Sequence, residues 1–303
     1  MHSNPILSQG DTVFLISTSY SANKQEIDEG TNVLKNKGLH VKLGKSIFKS
    51  WGNFAGTDEE RLLDLQEALN CTEAKAIICI RGGYGLSRII ADLVWTQFIQ
   101  NPKWIIGFSD ITLLHIYIQQ LGFQSIHGLM AARFGKPKYT DSVENLFKLL
   151  FDNEPVLEYK IESDALFKES IDGKLIGGNL TMVAHTLGTD LELQFDDNIL
   201  FLEEVSEPFY KIDRILYQLH LSFKANKLKA IVLGQFTNCD KLGFPLALNE
   251  IFKTAFPGIP IFFGLQSGHD APNFPLILGG KVKIQKKDNQ LNFTQWLQNE
   301  AVI

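Results

Sequence analysis

Short, uniformly apolar runs alternate with longer segments in which apolar residues recur at helical spacing. Residues 12–17 (TVFLIS) are β-rich. Residues 26–37 have helical character and stop at Gly38, and 40–43 predict a second strand. In residues 58–69 (DEERLLDLQEAL), Leu62, Leu63, Leu65 and Leu69 lie largely along one helical face, with acids in the first turn. Residues 76–80 (AIICI) and 104–107 (WIIG) are apolar throughout, as expected of strands covered on both faces. A helix over 111–121 ends at Gly122. This alternation predicts an α/β fold whose first part is an open parallel sheet with helices on both sides.

The pattern changes at 136–140 (KPKYT), and again between 153 and 178, where polar, mixed sequence such as VLEYKIES reads as a crossover. Beyond it, apolar runs at 199–203, 230–234, 259–263 and 282–285, with helices near 210–221 and 246–256, predict a second sheet. The expected organisation is an N-terminal parallel-sheet domain over 1–135, a linker over 136–175, and a second, smaller C-terminal α/β domain over 176–303. No internal repeat, low-complexity tract or charge block interrupts it.

Composition narrows the function classes. The 303 residues are 45% hydrophobic and 21% charged, which excludes an intrinsically disordered chain. With 29 basic and 34 acidic residues the formal charge is −5, so no global field draws the chain to nucleic acid or anionic lipid. Three widely spaced cysteines, Cys71, Cys79 and Cys239, argue against a disulfide framework and a CxxC zinc site. The first basic residue is Lys24, and the apolar stretch before it is too short for a secretory signal. No run reaches the ~18 apolar residues of a membrane span. The expected setting is the cytoplasm, with no membrane or nucleic-acid partner.

Scans for cofactor signatures find little. There is no HExxH. LGKS at 43–46 lacks the leading glycine of a phosphate loop, because position 39 is Leu, and RGGYG at 81–85 is not GxGxxG, because Arg88 stands at the third glycine position. The glycines of that loop still let backbone N–H groups approach a ligand closely. No metal or cofactor is expected.

Three segments hold candidate chemistry. In WIIGFSDIT (104–112), Ser109 lies where a buried strand turns into a helix. That is the setting of a nucleophile elbow, although GFSD lacks the second glycine of GxSxG. On local grounds a helix cap is the more economical reading, with Asp110 complementing the dipole. In FLEEVSE (201–207), Glu203 ends an apolar run at the carboxyl edge of a sheet, where it could orient a histidine; the alternative is three solvated loop charges. In LQSGHDAPN (265–273), His269 sits in a loop after a strand, where an imidazole can titrate near neutrality and act as a base. Each of the chain's seven histidines, taken singly, is more often structural than catalytic.

Together and in order, RGGYG (81–85), GFSDIT (107–112), GGNL (177–180), ILFLEEV (199–205), KIDRILYQL (211–219) and SGH (267–269) resemble the LD-carboxypeptidase family of serine peptidases. That family includes muramoyltetrapeptide carboxypeptidase and the microcin C self-immunity proteins. Each block is weak alone; six in register, spanning nearly the whole chain, are specific. The resemblance implies a triad of Ser109 as nucleophile, His269 as general base and Glu203 as its acid, with Glu204 and then Glu207 as further choices for the acid. It implies an oxyanion hole from the backbone N–H of Gly83, with Gly82 as second choice, and of Asp110. It also implies an N-terminal domain like class I glutamine amidotransferases, with Ser109 at the position of their cysteine, and a homodimer.

The expected function is release of terminal D-Ala from murein tetrapeptide through an acyl-enzyme. The first alternative keeps the chemistry but acts on peptidyl or aminoacyl nucleotides, as microcin immunity hydrolases do. The second is a non-enzymatic two-domain binding protein in which the same residues merely hold a ligand. Tyr84, Asn179 and Ser267 adjoin the motifs, and Asp213 and Arg214 read as braces of the C-terminal half.

Overall fold

The computed structural model describes residues 4–152, 155–163, 170–222, 227–287 and 290–296. Five parallel strands form the body of the first sheet: β1 (Thr12–Ile16), β2 (His40–Leu43), β3 (Ala74–Cys79), β4 (Trp104–Gly107) and β5 (Ser125–His127). Their spatial order is 2-1-3-4-5, a doubly wound arrangement whose switch point lies between β1 and β3. Helices α1 (Lys24–Asn36), α2 (Asp58–Asn70), α3 (Thr96–Gln100) and α4 (Thr112–Gln120) connect them. Capping boxes start α1 and α2: Asn23 with Glu26, and Thr57 with Glu60. The apolar strand runs are explained by burial on both faces. Val13, Leu15, Ala76 and Ile78 join one core, and Phe14, Ile16, Ile77 and Cys79 the other.

The second sheet has seven strands against six in the first. Its parallel part comprises β7 (Ser170–Asn179), β8 (Ile199–Val205), β9 (Ala230–Thr237) and β10 (Ile261–Phe262). An antiparallel extension follows β7, made of β12 (Lys281–Lys287), β13 (Gln290–Trp296) and β6 (Val156–Ile161). Helices α6 (Leu180–His185), α7 (Phe209–Ser222) and α8 (Leu248–Ala255) share a core with Leu200, Leu202, Ile231 and Leu233 on one face of its parallel strands. The second half is therefore mixed rather than purely alternating α/β, and it is not the lesser half by sheet size.

Two features tie the halves together. The stretch 136–175, expected as a linker, carries α5 (Thr140–Phe151) as well as β6 and the start of β7. Val143, Leu146, Phe147 and Leu150 of α5 are buried in the core of the first sheet, and Leu157 and Ile161 of β6 are buried too. The sixth strand of the first sheet, β11 (Leu276–Leu278), comes from the C-terminal part of the chain and pairs antiparallel with β5. Its Ile277 joins the first core, whereas Leu276 and Leu278 pack with β8 and β9 of the second sheet. The chain thus passes from β10 in one sheet to β11 in the other through the loop that holds His269. Among the described residues no helix is long and apolar enough to cross a membrane.

Candidate active site

The site is built at the carboxyl edges of β3, β4 and β8. After β4, Phe108 is extended and Ser109 takes φ +64°, before a short 3₁₀ turn leads into α4. A left-handed backbone at a non-glycine residue costs about 1–3 kcal/mol and persists only where its surroundings enforce it. The Ser109 side chain caps neither the turn nor α4. The cap reading therefore fails, and the geometry is that of a strained strand-to-helix elbow. Gly82 closes over the hydroxyl: a Cβ built there would lie 3.1 Å from Ser109 Cβ and 3.3 Å from Oγ.

Asp110 locks this turn. Its buried carboxylate accepts hydrogen bonds from Ser19 Oγ at 2.5 Å and from Leu86 N–H at 3.0 Å, joining the ends of β1 and of the glycine-rich loop to the elbow. Burial raises the Asp110 pKa above the ordinary carboxyl range, and the Ser19 and Leu86 bonds oppose that rise.

Glu203 and His269 meet across 66 residues of chain: His269 Nδ1 lies 2.6 Å from Glu203 Oε2. Glu203 is fully buried and the imidazole is 11% exposed. The β8–β9 register shifts between Leu202 and Glu204, so Glu203 sits at an irregularity of the kind that re-aims a side chain near a site. The adjacent Glu204 faces elsewhere. It accepts from Asn179 Nδ2 (2.9 Å), Val205 N–H (2.8 Å), Thr181 N–H (2.9 Å) and Thr181 Oγ1 (2.6 Å), which fastens β8 to the start of α6. Burial pushes its carboxyl above the usual range. Glu207 pairs with Lys211 instead. Of the three acids, only Glu203 reaches the imidazole.

The His269 loop is held from both halves. Arg133 Nη1 donates to His269 O at 2.8 Å and to Tyr139 Oη at 2.8 Å, while its guanidinium lies 5.3 Å from the Phe108 ring. Phe108 turns its ring against the imidazole, with centroids 4.9 Å apart and planes at 75°. Gln235 of β9 accepts from Asp270 N–H and donates to Pro272 O, both at 2.8 Å. Ser142 Oγ of α5 accepts from Asn273 N–H at 2.9 Å. With Nδ1 engaged by Glu203, Nε2 is the ring nitrogen that remains, and Phe108, the residue before Ser109, packs on the same ring. The structure contains no Ser109 Oγ–His269 hydrogen bond. In catalytic pairs such a bond often tightens only as substrate binds.

Of the secondary candidates, Asn179 and Ser267 have structural duties. Asn179 caps α6 and bonds Glu204, and Ser267 Oγ donates to Phe274 O. Tyr84 is exposed beside the glycine-rich loop, and the Arg214 guanidinium lies over the Tyr210 ring. Sequence reasoning missed Arg133, Gln235 and Ser142, which no local motif marks, and gave Phe108 no role although it lies within GFSDIT. It also missed the buried His127, flanked by Phe108 and Phe201, whose imidazole burial holds well below its ordinary pKa. Among the described residues no group of three His, Cys, Asp or Glu side chains could hold a metal ion.

Comparison with known proteins covers both halves. The family profile described as the LD-carboxypeptidase N-terminal domain matches residues 13–128, and that of the LD-carboxypeptidase C-terminal domain matches 172–284. The probable murein peptide carboxypeptidase of Bacillus subtilis is 34% identical over 91% of this chain and 89% of its own. The microcin C7 self-immunity protein MccF of Escherichia coli is 26% identical over 99% of both chains. The crystal structure of muramoyltetrapeptide carboxypeptidase from Oxalobacter formigenes superposes with a TM-score of 0.84 at 26% identity, over 94% of this chain and 98% of that one.

Proposed function

We propose that this chain, which belongs to the LD-carboxypeptidase family, is a serine LD-carboxypeptidase that releases terminal D-Ala from murein tetrapeptide. The observation that carries this reading is the Glu203–His269 pair, 2.6 Å apart, whose imidazole packs on the residue before a strained Ser109. An alcohol is a weak nucleophile at neutral pH until a base takes its proton. His269 Nε2 takes it as Ser109 Oγ attacks the carbonyl between the L-centre of a diamino acid and D-Ala. Glu203 fixes the Nδ1–H tautomer and stabilises the imidazolium. The N–H groups of Gly83 and Asp110 receive the oxyanion, each contributing about 3–4 kcal/mol to the transition state. The imidazolium then protonates the departing amine. Water, activated by the same imidazole, hydrolyses the acyl-enzyme.

The reading includes a homodimer working in the cytoplasm without a cofactor, and a likeness of the N-terminal half to class I glutamine amidotransferases. Its test is incubation of purified protein with murein tetrapeptide. D-Ala is released by wild type, and Ser109→Ala lowers kcat by about 10⁴-fold or more while peptide binding persists. Unchanged turnover in Ser109→Ala sinks the triad; cleavage of an all-L peptide in place of the tetrapeptide sinks the substrate. The near full-length likeness to MccF supports a second reading, hydrolysis of peptidyl or aminoacyl nucleotides. Competition between both substrates for one protein sample separates the two.

A further inference from the structure

Beside the proposed oxyanion loop lies a patch of aromatic side chains that the chemistry does not use. Tyr20 follows β1, Trp51 and Phe54 follow β2, and Tyr84 follows β3 within the glycine-rich loop. Phe54 is the hub. Its ring centroid is 6.0 Å from Tyr20, 5.9 Å from Trp51 and 5.8 Å from Tyr84. The buried Arg61 guanidinium lies 5.0 Å from the Phe54 ring and donates to Thr18 O and Gly85 O, tying the patch to both flanking strand ends. Short bridges pair Phe54 with Tyr20 and with Trp51, and Ser21 N–H donates to Asn53 O at 2.8 Å. Yet Trp51 is 52% exposed and Tyr84 45%. Rigid aromatic rings half open to water are a binding surface rather than a core.

The position of the patch selects its occupant. It stands at the β1/β3 switch point, where open α/β sheets take ligands. It is continuous with the site: Gly82 touches Ser109, and a Cβ built on Gly83 would meet the Tyr20 ring at 2.4 Å. In a tetrapeptide whose N-terminus carries a sugar, three residues separate that sugar from the scissile bond. At ~3.5 Å per extended residue they span roughly 10 Å, so the sugar stands beyond the reacting centre rather than in it. A pyranose presents a C–H face that stacks on an aromatic ring while its hydroxyls stay in water, which suits half-exposed rings.

We infer that Tyr20, Trp51, Phe54 and Tyr84 form a stacking subsite for the muramoyl sugar of the substrate. The inference rests on the carboxypeptidase reading and adds what recognises the end of the substrate remote from the cut bond. It is tested on the full-length protein with free tetrapeptide and N-acetylmuramoyl-tetrapeptide. Wild type favours the sugar-bearing peptide in kcat/KM by roughly tenfold, the upper end of a single aromatic stacking gain. Trp51→Ala and Tyr84→Ala bring that ratio close to one, and Trp51→Phe keeps most of it. A wild-type ratio of one overturns the subsite and leaves the carboxypeptidase standing. So does an unchanged ratio in Trp51→Ala, including the case where that variant dissociates a dimer, which would make the patch an interface between copies. If neither peptide is cut, the functional reading fails, and the subsite is read directly by titrating Ser109→Ala protein with N-acetylmuramoyl dipeptide. Quenching of tryptophan fluorescence that disappears in Trp51→Phe sustains it; no quenching, or stronger quenching by adenosine, removes it.

Discussion

At the scale of single residues, two adjacent glutamates in one strand have opposite duties. Glu203 gives one oxygen to His269, whereas Glu204 accepts four hydrogen bonds from its own neighbourhood. Glu203→Gln therefore lowers kcat by about 10³–10⁴-fold while the melting temperature stays near wild type, because the amide loses the charge that stabilises the imidazolium. Glu204→Ala does the reverse. It leaves buried donors unpaired and costs about 1–3 kcal/mol of stability, and the folded fraction keeps its turnover. Steady-state kinetics beside thermal melts separates the two; equal kinetic losses would refute the division. A second residue-scale prediction concerns acid stability. His115 bridges Ser125 Oγ and Gly107 O at 2.9 Å each, and burial lowers its pKa to about 4. Between that value and 6.5 the unfolded chain binds the proton and the folded chain does not. Stability is thus fully present above about 6.5 and falls as pH drops towards 4, with His127 adding in the same direction. Melts across this window show a shallower slope in His115→Gln; an unchanged slope would assign acid lability to other groups.

At the scale of elements, the strand-end loops act as clamps. Gly82 has no room for a side chain against Ser109. Gly82→Ala displaces the hydroxyl by a few tenths of an ångström and lowers kcat by about tenfold to 10²-fold, with circular dichroism unchanged. The His269 loop depends on Arg133, which holds the His269 carbonyl and lies against Phe108. Arg133→Met lowers kcat/KM by at least about tenfold, and Arg133→Lys recovers part of the loss. A Met variant with wild-type kinetics would show that Gln235 and Ser142 hold the loop unaided.

At the scale of the whole molecule, the proposed triad depends on how the two sheets dock. The backbone around Gly178 makes one close contact between them. Gly178 has φ +142°, a Cβ there would lie 2.7 Å from Thr112 Oγ1 of α4, and Asn179 N–H donates to that hydroxyl at 3.1 Å. Asn179 also pairs in register with Glu203. Gly178→Ala therefore separates the Ser109 elbow from the Glu203–His269 pair. The expected result is a loss of about 1–3 kcal/mol and a fall in kcat beyond what the unfolded fraction explains. Thr112→Val, which removes the hydrogen bond without adding bulk, has a smaller effect on both.

Much of this was legible in the chain itself. The apolar runs of β1, β3, β4, β8 and β9 and the amphipathic periods of α1, α2 and α7 are local signals; Ser109 falls just after β4, Glu203 lies towards the end of the β8 run, and His269 follows β10 in a loop. Local signals also misled. The segment 136–175 reads as a linker, yet α5 buries an apolar face in the first core. The three-residue β11, too short to announce its partner, crosses back to the first sheet. What the sequence determined is what depends on neighbours within a helical turn or a strand repeat: element type, sheet edges, and the inventory of reactive side chains. What only the tertiary structure decided is which of those side chains meet. Whether Glu203 or Glu204 faces the imidazole, and whether Ser109 caps a helix or stands strained above it, follows from strand register and packing between segments far apart in sequence. Their relative placement costs chain entropy that only the assembled core offsets.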